Sequence, residues 1–401
     1  MSYICPMKRL LLLFSLTLTC HLQAQTFELG QWQGIIEYVN GEVPFSFTVE
    51  NKSGKLVFTI KNGVERIQID DATLDGDSIR IPLKPFDAWL KAKVERHTMV
   101  GFWRKGYRTK GIPFKAFYGA PRFESSPSGD VKKLLGNYQL EIKPPSGLPY
   151  PAVGIFNVTD SSVTGTFMTE VSDLRFFEGV LADDSIFMSS FDGAHAFLFN
   201  GRVDLETISG ELVMDSEYSE RVKGIQNPSA SIPIPLKEVP AGHRPYYDIL
   251  SAGDPNLTID ESYYFNKVLV LQLFGTWCPN SMDQTRFLRE WYKKRPAGVE
   301  LLAVSYEPNF SVAYGNERTT KYKSDMSLPY QVALGGKLSK GQAALPLPHL
   351  EKLNAFPTLI LVDKQGFIRY EFSYFNGPAT GIHHQAFQEK FEDCISKLAN
   401  E

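Results

Sequence analysis

The stretch Phe274-Gly275-Thr276-Trp277-Cys278-Pro279-Asn280-Ser281 decides how the C-terminal part of this chain is read. An apolar run, Val268–Phe274, leads into a Gly-Thr-Trp turn, and Met282–Lys294 follows with Phe287, Leu288 and Trp291 at helical spacing. This is a buried strand, a tight turn and a helix, with Cys278 at the helix entry. The first N–H groups of a helix have no intrahelical partner and the helix dipole favours an anion there. Pro279 suits the first turn because its missing N–H would have been unpaired. The expectation is a thiolate that titrates below a free cysteine. Ser281 stands three residues on, where a dithiol motif would place its second sulfur.

Outward from this stretch, strand and helix alternate. Val299–Ser305 and Thr358–Asp363 read as further buried strands, Ser311–Met326 as a helix, and Lys364-Gln365-Gly366 as a turn into Phe367–Phe372. Gln385–Leu398 places Phe387, Phe391, Ile395 and Leu398 on one face of a closing helix. Residues 246–401 form an α/β unit.

The residues before it have a different character. Pro228, Pro233, Pro235, Pro240 and Pro245 make 226–245 an extended linker. Residues 25–123 and 131–225 carry alternating strand patterns with Asn62-Gly63 and Asp75-Gly76-Asp77 as hairpin turns. The two stretches echo each other at offsets of about 106 to 109 residues. Gly30-Gln31-Trp32 is echoed by Gly136-Asn137-Tyr138, Asp77-Ser78-Ile79 by Asp184-Ser185-Ile186, and Met99–Trp103 by Ile208–Leu212. We read a tandem duplicated β-barrel or sandwich unit, joined by Ser125–Asp130, with aromatics serving as core. The fold class is therefore multidomain: an N-terminal all-β region followed by the C-terminal α/β unit.

Residues 1–24 read as a secretory signal, with Lys8 and Arg9 before the apolar Leu10–Leu18 and cleavage after Ala24. Thr17-Leu18-Thr19 does not fit the pattern before a lipidated Cys20, so no lipid anchor is expected. No later run is long enough to span a bilayer. An exported, periplasmic or otherwise extracytoplasmic protein is expected. Its 42 Lys and Arg, less Lys8 and Arg9, stand against 45 Asp and Glu, a balance of −5. That acidity argues against a nucleic-acid partner. Arg104–Lys110 reads as a solvated hairpin. Only Cys278 and Cys394 remain after the signal, so this is no disulfide scaffold. His383-His384 lacks ligand-spaced companions; no metal and no cofactor are expected. His349 is a candidate for the Cys278 pocket, and Asp283 for a first-turn helix acid.

Residues 241–401 resemble the thioredoxin-like superfamily, and most closely the exported thiol-disulfide oxidoreductases of the TlpA/ResA type. The resemblance rests on Phe274–Asn280, on Ala303-Val304-Ser305, and on Ala355-Phe356-Pro357-Thr358-Leu359 followed by Asp363 and Gly366. It implies that Cys278 is the nucleophile and that Trp277, Pro279, Asn280 and Ser281 belong to its motif. It also implies that Phe356 and Pro357 form a cis-proline loop that meets a substrate strand. Partners would be a protein or small-molecule thiol or disulfide and an external thiol donor. The chain departs from the family at Ser281, where a resolving cysteine is usual, and at Gln284 and Gln272, where acids are usual. A serine cannot resolve a mixed disulfide, and an amide is no general base near neutral pH. The reading that follows is a monothiol exchange protein. The alternatives are a redox-inactive binding or scaffold protein, and a peroxiredoxin-like peroxidase built on Thr276 and Cys278. Cys394 reads as a small buried hydrophobe.

Overall fold

A computed structural model describes residues 27–124, 128, 134–159, 162–232, 236–250, 259, 264–308 and 311–401. The signal reading at 1–24 and nearly all of the Ser125–Asp130 joint lie outside these residues. No helix among the described residues is long and apolar enough to cross a membrane.

The first β-unit is one nine-stranded sheet. Its strands are β1 (Gly30–Tyr38), β2 (Gly41–Lys52), β3 (Lys55–Asn62), β4 (Glu65–Ile69), β5 (Thr73–Asp75), β6 (Ser78–Pro82), β7 (Ala88–Val94), β8 (Thr98–Lys105) and β9 (Ile112–Tyr118). Chain neighbours pair antiparallel, and β1 also pairs β9 with Trp32 opposite Tyr118. The sheet is open between its edges β4 and β5. Burial alternates as the pleat requires: in β7, Ala88, Leu90, Ala92 and Val94 face the core.

The second β-unit is a closed barrel of β10 (Gly136–Lys143), β11 (Tyr150–Thr159), β12 (Ser162–Thr169), β13 (Phe177–Ala182), β14 (Ser185–Phe191), β15 (Ala196–Asp204), β16 (Thr207–Asp215) and β17 (Tyr218–Gln226). Pairing of β10 with β17 closes it. Its interior is filled: Phe167 packs edge-on against Phe156, Phe177 and Phe199 at centroid distances of 5.7, 5.4 and 5.1 Å. The echoed triplets fall on matching strands, β1 with β10, β6 with β14 and β8 with β16. Gly30 and Gly136 both open their strands at positive φ, 126° and 119°, a conformation that favours glycine. β4 is the additional strand of the first unit, at its open seam.

The C-terminal unit has a six-stranded sheet in the order β18-β23-β22-β19-β20-β21. The strands are β18 (Leu236–Glu238), β19 (Val268–Phe274), β20 (Val299–Glu307), β21 (Gln331–Lys337), β22 (Thr358–Val362) and β23 (Ile368–Phe372). Besides a single turn at Tyr247–Leu250, the described α-helices are α1 (Pro279–Tyr292), α2 (Val312–Asp325) and α3 (Ile382–Asn400). β19 is buried throughout, parallel to β20 and antiparallel to β22. Within the extended Pro-rich stretch 226–245, Leu236–Glu238 pairs with β23 as an edge strand. Prolines are tolerated beside an edge strand, where ladder donors are not all required.

The units are packed together. Arg318 of α2 donates to Pro85 O at 2.7 Å and Tyr314 donates to Asp87 at 2.9 Å, joining α2 to the β6–β7 turn. The Arg104–Lys110 hairpin is not merely solvated, as expected from its charge. Arg108 pairs with Asp215 of the barrel, and Lys105 Nζ lies 5.0 Å from the centre of the Trp103 ring. Burial, with the nearby Arg108 charge, lowers the Lys105 ammonium pKa to about 8.

Candidate active site at Cys278

Cys278 is the N-cap of α1 and Pro279 occupies the first turn. The turn is closed by Cys278 N–H donating to Gly275 O at 3.1 Å. Gly275 is required there, because a Cβ would lie 2.1 Å from Trp277 Nε1. Trp277 donates from Nε1 to Tyr306 O at 2.9 Å and sets its ring edge-on to Phe356. The Phe356–Pro357 peptide is cis, and Cys278 Sγ lies 3.8 Å from Phe356 O. Strand β19, helix α1 and the loop before β22 thus converge on one sulfur.

Cys278 is only 7% exposed. Burial pushes the Cys278 thiol above the ordinary cysteine range. The Ser281 hydroxyl and the N–H groups of Ser281 and Asn280 pull the other way, but less strongly. The direction is opposite to the sequence expectation: desolvation of the charge outweighs the helix terminus. Ser281 is fully buried, as is Gln284. Gln272 Nε2 donates to Gln284 Oε1 at 3.1 Å and to Thr285 Oγ1 at 3.0 Å. The two amides bond to each other beneath the motif.

An acid is nevertheless present on another element. Glu307, at the end of β20 and 1% exposed, accepts from Thr276 N–H at 3.1 Å and from Thr276 Oγ1 at 2.9 Å. Arg318 Nε reaches the same Thr276 hydroxyl at 3.4 Å. Glu307 thus holds the turn before Cys278.

The barrel supplies the other wall. Asn280 Nδ2 donates to Asp173 O at 2.8 Å. Gly377 N–H donates to Asp173 Oδ1 at 2.6 Å, and Phe375 N–H to Val171 O at 3.1 Å. Arg175 is 1% exposed and pairs with Asp283 of α1 at 3.0 Å, with Asp192 at 3.4 Å and with Glu65 of β4. Asp283 is therefore a buried partner of Arg175 and lies beyond the first turn of α1, not in it as the sequence reading expects. Burial, reinforced by the Asp283 charge, pushes the Asp173 carboxyl up to about 6. Burial also raises Glu65, with Arg175 opposing. Burial acts to raise Asp192 too, but its contacts with His195 and Arg175 outweigh that and hold it well below the carboxylate range.

No family model matches the chain. It is 24% identical over 147 residues to the thiol:disulfide interchange protein DsbE of Vibrio cholerae, covering 36% of this chain and 72% of that protein. Over 182 residues it is 22% identical to the DsbE of Haemophilus influenzae, covering 45% and 83%. Among solved structures, a DsbF homologue from Corynebacterium diphtheriae is 14% identical with a TM-score of 0.29, covering 42% of this chain and 97% of its own. The C-terminal unit is similar to thioredoxin-like thiol-disulfide oxidoreductases.

In the thioredoxin-like unit, Trp277, Pro279, Asn280, Ser281, Gln284, Phe356 and Pro357 all gather within the layers around Cys278. His349 does not join them: its Nε2 lies 3.5 Å from Glu371 of β23, which Lys237 of β18 also approaches. His384 bonds through Nδ1 to Asn376 O at 2.6 Å, and no group of metal-ligating side chains occurs among the described residues. Cys394 is 1% exposed within α3 and also a free thiol. Sequence reasoning missed Glu307, Asp173 and Arg175. Glu307 could have been suspected as an acid closing an otherwise apolar strand; the two barrel residues carry no local signal.

Proposed function

We propose that this chain is a thiol–disulfide exchange protein that works through a single sulfur, Cys278, in an extracytoplasmic space. The observation that carries the reading is the convergence of the α1 N-terminus and the Phe356–Pro357 loop on Cys278 Sγ. The thiol first loses its proton. The thiolate then attacks a substrate disulfide: a Cys278–substrate S–S bond forms, the substrate's own S–S bond breaks, and the leaving thiolate takes up a proton. An external thiol then attacks the mixed disulfide, takes the substrate sulfur into a new disulfide, and returns Cys278 as thiol. Ser281 and the Gln272–Gln284 pair take no proton in this scheme; they support the site's shape. The substrate class is a protein or small-molecule disulfide.

A second reading, a binding protein without redox turnover, is favoured by the raised Cys278 pKa. Cys278→Ala and Cys394→Ala separate the two. On the first reading, thiol-dependent exchange with a reporter disulfide disappears in Cys278→Ala and persists in Cys394→Ala. Absence of exchange in the native chain itself would leave the binding reading.

A further inference from the structure

The barrel is irregular at one place. β12 pairs with β11 along its whole length, but with β13 only over Val163–Gly165. Beyond Gly165 that side of β12 is met by its own chain turning back: Met168 bridges Asp173, Leu174 N–H donates to Phe167 O at 2.9 Å and Thr169 N–H to Ser172 O at 2.8 Å. The other side of this returning segment bonds the thioredoxin-like unit. Val171 O accepts from Phe375 N–H, Ser172 forms a parallel bridge with Phe375, and Asp173 bonds Asn280 and Gly377. Asn280 is two residues from Cys278. Arg175 then takes a left-handed backbone, φ 60°, sparsely populated for a residue with a side chain and tolerated where surroundings over-determine it. Three buried carboxylates, on three different elements, do so here.

We propose that the barrel segment Val171–Arg175 is an intramolecular cover for Cys278. It binds in cis to the face of the thioredoxin-like unit formed by Asn280, Phe375 and Gly377. It must be displaced before a second sulfur reaches the thiol. The occupant of this face in the resting protein is therefore an extended segment that presents a carbonyl and a carboxylate to Asn280 and Gly377. A substrate competes with it. The inference rests on the reading of Cys278 as an exchanging thiol.

The test modifies the full chain with iodoacetamide at one fixed pH and follows Cys278 and Cys394 separately by peptide mapping. Two variants loosen the contact from opposite sides. Asp173→Ala removes the carboxylate that takes the Gly377 N–H. Gly377→Ala places a Cβ 2.7 Å from Asp173 Oδ1, at a backbone φ of −75° that alanine adopts freely. In each variant, Cys278 should react at least about tenfold faster, equivalent to opening the site to a tenfold larger population, while Cys394 stays at its original rate. Unchanged Cys278 reactivity in both folded variants overturns the proposal. So does equal acceleration of both thiols, which would mean the contact holds the fold of the unit. Alkylation reads access and thiolate fraction but needs no exchange, so a cover that opens onto a thiol unable to exchange would count against the proposed function and not against the cover.

Discussion

Arg175 Nε of the barrel lies 3.0 Å from Asp283 Oδ2 of α1, with the two side chains 1% and 4% exposed. The helix that carries Cys278 is thus tied, in its second turn, to a different unit of the protein. Asp283 also meets Arg286, which is 43% exposed. The pair to Arg175 is the desolvated one, and removal of its partner strands three buried carboxylates.

Arg175→Met is expected to destabilise the folded chain by about 3–5 kcal/mol, the cost of leaving buried charge uncompensated. Arg286→Ala, at the exposed partner, should cost no more than about 1 kcal/mol. Urea unfolding of the two variants at neutral pH checks the contrast; equal losses would count against the buried pair as the principal tie.

Asp173 sets a pH signature. Its carboxyl is raised to about 6, so it contributes stability that is fully present below the ordinary range near pH 3.8 and is lost as pH rises through about 6. Asp173→Asn, neutral at every pH, should lack this slope. Comparing the two proteins between pH 4 and 7, the wild type should lose up to about 3 kcal/mol relative to the variant. A difference that is flat across this window would show that Asp173 titrates normally.

Gln272→Glu should also destabilise the protein. The new carboxylate would face Gln284 and Thr285 in a site with no solvent, and the cost of an unpaired buried acid is about 2–4 kcal/mol at neutral pH. Thermal melts should show the loss shrinking on acidification, as the acid becomes neutral. A wild-type melting temperature at pH 7 would mean the layer beneath the motif is wetter than its burial indicates.

Ser281→Cys should restore a dithiol pair. Ser281 is buried and its hydroxyl bears on the Cys278 sulfur, so mild oxidation should consume both thiols in one intramolecular disulfide. Thiol titration with mass measurement checks this. Retention of both thiols after oxidation would place the two side chains outside bonding geometry.

The part of the site that local pattern encodes was legible in the sequence. An unbroken apolar run, a Gly-Thr-Trp turn and Pro279 specify strand, turn and helix start through neighbouring residues alone, and Ser311 caps α2 through Tyr314 three residues on. Several strands of the first β-unit followed from alternation and turn residues, whereas the long-range pairings of β1 with β9 and β10 with β17 did not. The charge state of Cys278 did not follow. The helix terminus is a local effect that favours thiolate, whereas its desolvation is imposed by segments far away in the chain. Arg175 and Asp283 are 108 residues apart, and no periodicity reports such a contact. Leu236–Glu238 was hidden for a related reason: prolines on either side read as linker, and only the exposed edge of β23 turns three residues between them into a strand. Glu307 lay at the end of a correctly read strand, but its bond to Thr276 depends on two parallel strands ending in register.

The raised Cys278 thiol has a direct consequence. The rate of iodoacetamide modification at Cys278, followed across pH in the native protein, should have its midpoint above the ordinary cysteine range, and the midpoint should fall in Gly377→Ala as the sulfur regains water. A native midpoint below that range would mean that the helix N-terminus prevails over burial after all.

The central claim is that Cys278 exchanges disulfides with an outside thiol. The most direct measurement incubates the native chain and Gly377→Ala with glutathione disulfide, maps the adduct by mass spectrometry, and then adds a reducing thiol. The expected result is a single glutathione on Cys278, formed faster in the variant and released by the added thiol, with Cys394 unmodified. No adduct on Cys278 in either protein, under conditions where the unfolded chain is modified at both cysteines, would contradict it.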